Sequence, residues 1–116
     1  MTDDREGDAS VATAWVRVAR SHVTPGAAAI VNVGRYEVAI FDVGGELRAY
    51  ENVCPHQGGP IGEGIVDGET VTCPWHAWCF NLRDGTMTIG DFAVLRRFEV
   101  RELGNEIEIS LEPVAS

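Results

Sequence analysis

Short apolar stretches separated by turn signals run along most of this chain. Near the end, Ile107, Ile109 and Leu111 alternate with charged or polar neighbours, which is the period of two that indicates a half-buried strand. Asp67-Gly68 is a strong hairpin dipeptide between two such stretches. No stretch shows the period of 3.6 residues that indicates an amphipathic helix. The pattern therefore predicts short strands joined by tight turns.

The predicted strands follow one another closely. In chain order they are Trp15–Ala19, Ala27–Val33, Tyr36–Val43, Glu46–Asn52, Ile65–Val66, Glu69–Cys73, Cys79–Leu82, Ala93–Glu102 and Glu106–Glu112. Many short strands with regular turn signals are typical of a sandwich or barrel. The predicted fold class is all-β: an antiparallel β-sandwich or small barrel.

The domain organisation follows from length and local composition. At 116 residues the chain suits a single domain that buries its own core. Residues 1–12 are rich in acidic side chains and predict a disordered tail, which leaves 13–116 as the domain. Within it, residues of about 53–91 are rich in Gly, Pro and Trp and predict a small metal-binding lobe.

Charge excludes several classes of partner. The formal net charge is −9, and all nine basic residues are Arg. This balance argues against nucleic acid and against anionic membrane surfaces, and it fits a partner with a positive patch. No apolar stretch reaches the roughly 18 residues of a membrane helix, and the first ten residues lack the apolar run of a signal peptide. The expected location is the cytoplasm.

Two segments carry the chemistry, Cys54-Pro55-His56 and Cys73-Pro74-Trp75-His76. Each supplies one thiolate and one imidazole, and the Asp67-Gly68 hairpin lies between them. Strands leaving a tight turn run antiparallel, so their far ends lie side by side and bring the two loops together. Two sulfur and two nitrogen ligands suit one [2Fe–2S] cluster per chain with Cys on one iron and His on the other. The predicted cofactor and metal ligands are Cys54, His56, Cys73 and His76.

Charge counting favours electron transfer at such a centre. The oxidised site with two thiolates and two neutral imidazoles is neutral, whereas a four-thiolate site already carries two negative charges. Adding one electron to the neutral site costs less free energy, so the His ligands raise the reduction potential.

The same residues also allow different chemistry. Zinc accepts two Cys and two His, which would make the chain a zinc-stabilised binding module, although the single-residue gap between Cys54 and His56 is tighter than usual zinc spacing. An extracellular disulfide between Cys54 and Cys73 is a further alternative, as is a nucleophilic Cys with a His base. The nucleophile would leave the second Cys/His pair without a role.

The two segments resemble those of the Rieske iron–sulfur family. The pattern Cys54-Pro55-His56-Gln57-Gly58-Gly59-Pro60 with Cys73-Pro74-Trp75-His76-Ala77-Trp78 is similar to that of soluble Rieske-type ferredoxins. The likeness extends more loosely from Trp15 to Leu111. It implies antiparallel β-sheets with the cluster lobe at one end, and His56 and His76 near the surface facing a partner.

The resemblance also implies a function. It indicates a soluble one-electron carrier, not itself an enzyme, between a flavin reductase and a terminal oxygenase such as an aromatic-ring dioxygenase. The alternative is the small subunit of an NADH-dependent assimilatory nitrite reductase, whose partner is the large subunit. An oxygenase would need a second iron held by two further His and a carboxylate, and only His22 is left.

Departures from the high-potential branch predict a low potential. That branch has an extra Cys in each loop, joined as a disulfide, where this chain has Gly59 and Trp75. It also has Ser and Tyr hydroxyls where this chain has Trp78 and Phe80. Fewer hydrogen bonds to a cluster lower its potential, so we expect about −150 mV.

Two remaining residues are expected to have ordinary structural roles. His22 lies beside a predicted turn, far from both segments, and is expected at the surface. Cys79 starts a predicted strand and is expected to be a partly buried thiol outside the ligand set.

Overall fold

The structure, a computed structural model, describes residues 15–54, 59–74, 78–89 and 94–114. Within these ranges the regular elements are strands and two short 3-10 turns, with no α-helix. The turns are Arg20–His22 and Ile61–Glu63. The strands are β1 (Trp15–Ala19), β2 (Ala29–Val33), β3 (Tyr36–Val43), β4 (Glu46–Glu51), β5 (Ile65–Asp67), β6 (Thr70–Thr72), β7 (Cys79–Asn81), β8 (Arg97–Leu103) and β9 (Glu106–Pro113).

The strands form two antiparallel sheets. The larger has six strands in the order β1-β9-β8-β4-β3-β2, and the smaller has three in the order β5-β6-β7. Hairpin connections dominate, as the turn dipeptides predict; Gly68, for example, has φ 61° in the β5–β6 turn. The predicted all-β antiparallel class is confirmed. The described part of the chain holds no helix with the length and hydrophobicity needed to cross a bilayer.

Strand β3 separates two cores. Its apolar run is buried on both faces, so alternate residues enter different clusters. The sheet core lies inside the six-stranded sheet and comprises Val23, Val33, Val38, Ile40, Leu47, Ala49, Phe98, Ile107 and Ile109. The lobe core lies between the larger sheet and the β5–β7 lobe and comprises Ala39, Phe41, Val43, Tyr50, Cys54, Ile61, Val71, Cys73, Phe80, Leu82 and Leu95. The lobe is thus seated directly on β3 and β4.

One strand prediction is wrong at its start. The sequence predicts a single strand over Ala93–Glu102, but β8 begins at Arg97 and ends at Leu103. Before it, Val94 makes an isolated bridge to Thr86 and the Leu95 amide donates to the Gly85 carbonyl at 2.9 Å. Leu95 is buried in the lobe core, so this segment serves the lobe before the chain joins the larger sheet.

The other strand bounds differ from the predictions by at most two residues. The predicted strand Ala27–Val33 begins at Ala29 in the structure. The predicted strand Glu69–Cys73 covers only Thr70–Thr72 because the Cys73 amide leaves the ladder to close a loop. The predicted tail, residues 1–12, lies outside the described residues.

Candidate metal centre

The structure buries two of the four predicted ligands in one place. Cys54 and Cys73 are each 1% exposed and both belong to the lobe core. Cys54 follows the end of β4, and Cys73 comes directly after β6. All three cysteines of the chain are described, and no disulfide joins any of them. Both segments therefore contribute their cysteine to the same buried core.

Each cysteine opens a loop that a backbone hydrogen bond closes. The Cys54 amide donates to the Gly59 carbonyl at 2.7 Å, and the Cys73 amide donates to the Trp78 carbonyl at 2.7 Å. In both cases the acceptor lies five residues after the cysteine. Residues 55–58 and 75–77 stand within these loops, and they include His56 and His76, which lie outside the described residues. The structure thus fixes both bases of the ligand loops.

The first loop starts at a buried side chain that sequence reasoning missed. Asn52 is 4% exposed, and its Nδ2 donates to Glu37 Oε1 at 2.9 Å. Its Oδ1 accepts the Gly62 amide at 2.5 Å. An amide residue at the end of an otherwise strand-like run does not by itself reveal a partner.

A short segment connects the two loops. We call residues 60–64 the clip; it contains the 3-10 turn Ile61–Glu63, and Ile61 is fully buried in the lobe core. A Cβ on Gly64 would lie 2.1 Å from the Thr72 carbonyl oxygen, so only glycine allows this approach. The middle of the clip, at Gly62, therefore contacts Asn52, before Cys54, and its end, at Gly64, contacts Thr72, before Cys73.

The second loop has a further closure at its base. Thr72 and Cys79 are direct cross-strand partners, and Thr72 Oγ1 lies 2.9 Å from Cys79 Sγ. Cys79 is partly buried and lies outside any disulfide, as expected of it. Its contact with Thr72 was not foreseen, because the register of two three-residue strands cannot be read from their sequence.

Aromatic side chains complete the lobe. Phe80 is fully buried, and Trp78 packs against the same core. Trp75 lies outside the described residues. The buried Tyr50 hydroxyl donates to the Leu82 carbonyl at 2.7 Å. Burial raises the pKa of Tyr50 to about 12, so the phenol stays protonated and its hydrogen bond stays on Leu82.

The predicted surface position of His22 is confirmed. His22 is exposed at the end of the 3-10 turn Arg20–His22. Arg97 is the exposed first residue of β8, and Arg96 forms an ion pair with Glu51 at 3.5 Å.

The donor chemistry at the two cysteines fits an iron–sulfur group. Their thiols sit among apolar side chains of the lobe core, where an isolated thiolate would be costly to bury. A soft, positively charged metal centre offsets that cost and favours the thiolate form. The described ranges contain no group of three or more potential metal-ligating side chains.

Comparison with known proteins gives concordant matches. The family model for the Rieske [2Fe–2S] domain matches residues 14–96. Ferredoxin CarAc of Metapseudomonas resinovorans is 34% identical over 101 residues, which cover 84% of this chain and 94% of the relative. A ferredoxin in a complex of reduced oxygenase and oxidized ferredoxin in carbazole 1,9a-dioxygenase superposes with TM-score 0.79 at 31% identity, covering 88% of this chain and 97% of that one.

A third match comes from a different system. A structure from Mycobacterium tuberculosis, described as a candidate NADH-dependent nitrite reductase small subunit, superposes with TM-score 0.75 at 25% identity. The match covers 84% of this chain and 95% of that one.

Proposed function

This chain belongs to the Rieske [2Fe–2S] domain family, and from that premise we propose that it is a one-electron carrier between a flavin reductase and a terminal oxygenase. The observation that carries the proposal is the match to a ferredoxin over 94% of that relative's length. The similar chain in the oxygenase–ferredoxin complex supports an oxygenase as the electron acceptor. An aromatic-ring dioxygenase is the acceptor class we favour.

The proposed ligands are one thiolate and one imidazole from each loop. They are Cys54, His56, Cys73 and His76. When bound, the [2Fe–2S] cluster accepts and releases one electron. The two thiolates supply the negative charge of the ligand set, and their burial in the lobe core keeps water from the sulfur atoms. His56 and His76 would provide the neutral ligands and the exposed edge toward the partner.

The surrounding polar groups favour a low potential. The amides of Cys54 and Cys73 are committed to the carbonyls of Gly59 and Trp78. The Tyr50 hydroxyl is committed to the Leu82 carbonyl. These three donors are therefore not directed at sulfur, and fewer hydrogen bonds to a cluster leave its reduced form less stabilised.

The carrier is proposed to transform no substrate of its own. The relatives in the comparisons that match it over most of their length include ferredoxins, and an electron carrier needs no substrate pocket. We also propose a cytoplasmic location, since thiolate ligands and a flavin reductase both suit a reducing compartment.

Reduction by a purified partner tests the function. NADH and a flavin reductase of an aromatic-ring dioxygenase system are mixed with the protein under anaerobic conditions, and cluster reduction is followed by absorbance and EPR. We expect reduction, followed by reoxidation when the matching oxygenase and its substrate are added. The variant Cys54→Ser/Cys73→Ser is the matched control and should stay colourless. Failure of every reductase to reduce a cluster-bearing protein would contradict the proposal.

The nitrite reductase small subunit is the second candidate. The match to the Mycobacterium tuberculosis chain over 95% of its length favours it. Such a subunit would be a fixed part of a larger enzyme, whereas a carrier dissociates between partners. Co-purification at constant stoichiometry with a sirohaem-containing large subunit would support this candidate and argue against the free carrier.

A further inference from the structure

Asn52 is a polar side chain buried at the start of the first ligand loop. It is 4% exposed and lies between the end of β4 and Cys54. Its backbone amide donates to the Glu37 carbonyl at 2.7 Å. Its Nδ2 donates to Glu37 Oε1 at 2.9 Å, and its Oδ1 accepts the Gly62 amide at 2.5 Å. A buried amide with its donor and acceptor both engaged is held in one orientation.

These contacts join three parts of the molecule. Glu37 belongs to β3, whose apolar run is buried on both faces. Gly62 belongs to the clip, whose far end lies against Thr72, the residue before Cys73. Asn52 therefore ties the entry of the first loop to the larger sheet and, through the clip, to the second loop.

The backbone of the clip packs closely against the Asn52 side chain. A Cβ on Gly62 would lie 2.9 Å from Asn52 Oδ1 and 3.1 Å from the Ala39 Cβ. The clip thus packs directly on the amide oxygen. Among side chains of this size, only Asn offers a donor to Glu37 and an acceptor to Gly62 at once.

We propose that Asn52 is a positioning residue that holds Cys54, at the base of the first ligand loop, in a single geometry. The inference rests on the proposed function, in that Cys54 and His56 are taken as ligands. In this role Asn52 is not a ligand; it acts through its contacts with Glu37 and with the clip. Its loss should give a cluster held in several geometries and released more readily.

A reciprocal exchange of donor and acceptor tests this role. Asn52→Asp keeps an acceptor for Gly62 but sets two carboxylates against each other where a donor and an acceptor now meet. We expect cluster loss to a ferrous-iron chelator to be about tenfold faster, as for one lost hydrogen bond with an unsatisfied partner. The reduced EPR signal should broaden. Glu37→Gln is the matched control, because its carbonyl still accepts from Asn52, and it should stay within about twofold of wild type.

The double variant Glu37→Gln/Asn52→Asp restores the pair with the donor on the other side. Its chelation rate and EPR line shape should return toward wild type. If Asn52→Asp does not fold, Glu37→Ala tests the same link from an exposed position and should also speed cluster loss and broaden the signal.

Two negative results are distinct. A merely structural role would lower the melting temperature of the metal-free protein while leaving the EPR line shape and the chelation rate unchanged, and that result would overturn the inference alone. Wild-type protein that holds neither iron nor sulfide would overturn the proposed function and this inference with it.

Discussion

At the scale of single residues, Tyr50 is the clearest link between sheet and lobe. It is fully buried on β4, and its hydroxyl reaches across to the Leu82 carbonyl at 2.7 Å. A Cβ on Gly85 would lie 3.0 Å from the Tyr50 ring, so the lobe backbone packs closely on it. The phenol therefore combines apolar packing with one satisfied hydrogen bond across the two units.

The substitution Tyr50→Phe should destabilise the protein without abolishing the fold. It keeps the ring and removes the donor, leaving the buried Leu82 carbonyl without this partner, which costs about 1 to 3 kcal/mol. Urea unfolding of the metal-free protein measures the change. Tyr36→Phe, at a partly buried Tyr of the sheet, serves as the control and should have a smaller effect. Equal effects would contradict the role of the Tyr50 hydroxyl.

The same residue predicts a loss of stability at high pH. Burial raises the pKa of Tyr50 from 10.0 to about 12, so the folded state holds this proton more tightly than the unfolded state. The protonated Tyr50 contributes fully to the free energy of unfolding below pH 10. As the pH rises toward 12, the free energy of unfolding falls by roughly 2 to 3 kcal/mol. Unfolding free energies of wild type and Tyr50→Phe between pH 9 and about 12 measure it. The two proteins should converge as the pH rises.

Single residues also mark how far sequence could predict the site. Cys54 and Cys73 could be identified because two matched Cys/His pairs are typical of a metal centre, and the structure buries both thiols in one core. Asn52 was missed because its importance comes from Glu37 and Gly62, which lie at separations that no local pattern encodes. His56 and His76 stay predictions from the motif.

At the scale of elements, the hairpin β5–β6 and the clip bring the two loops together. The Asp67-Gly68 turn predicted this pairing, and the register Ile65↔Thr72 confirms it. The clip was not predicted as an element, since five residues with two glycines resemble an ordinary loop. The start of β8 was mispredicted because the apolar residues Val94 and Leu95 continue the strand pattern while serving the lobe.

The variant Gly64→Ala should impair cluster assembly. The new Cβ would meet the Thr72 carbonyl oxygen at 2.1 Å, and backbone must move to relieve that clash. The movement would occur at the residue before Cys73. We expect iron and sulfide content well below wild type, measured on freshly purified protein.

A matched glycine gives the control for that variant. Gly68→Ala places its Cβ in open space, so it carries only the strain of a positive φ of 61°, about 1 kcal/mol. Its iron content should match wild type. If both variants lost the cluster equally, the close approach at Gly64 would not be the cause.

A cross-strand ion-pair cluster joins β1, β9 and β8. Glu108 is 7% exposed; Arg101 reaches its Oε1 at 2.7 Å, and Arg17 reaches its Oε2 at 3.1 Å. The pKa of Glu108 lies below its ordinary value, mainly because its carboxylate accepts a hydrogen bond from Arg101. Burial opposes this shift, and the hydrogen bond from Arg17 adds to it. Carboxylate and guanidinium groups on directly opposed strand positions stabilise that pairing.

Glu108→Gln should therefore weaken the sheet in a pH-dependent way. Because the pKa of Glu108 is lower in the folded state, its carboxylate stabilises the fold at pH values above the pKa of the unfolded state. That stabilisation is lost as the pH falls through the pKa of the folded state. The variant should melt below wild type at pH 7, and the gap should narrow toward pH 3 or so. Thermal unfolding across that range measures it. A constant gap would show that charge is not the cause.

At the scale of the whole molecule, the hydrogen-bond donors around the cysteines bear on the reduction potential. The predicted midpoint potential is about −150 mV, because Trp78 and Phe80 stand where the high-potential branch has hydroxyl groups. The amides of Cys54 and Cys73 are in addition committed to carbonyl groups. A spectroelectrochemical titration at pH 7 measures it. A midpoint above about +100 mV would contradict the assignment of this protein to the low end of the range.

The two faces of strand β3 pack in different cores and can be substituted separately. Val38 and Ile40 face the sheet core, whereas Ala39, Phe41 and Val43 face the lobe core that holds the cysteines. Odd-numbered positions of this segment thus pack in the lobe core, and even-numbered positions pack in the sheet core. Substitutions at Ala39, Phe41 or Val43 would alter the packing around the cysteines while the side chains of the sheet core stay as they are.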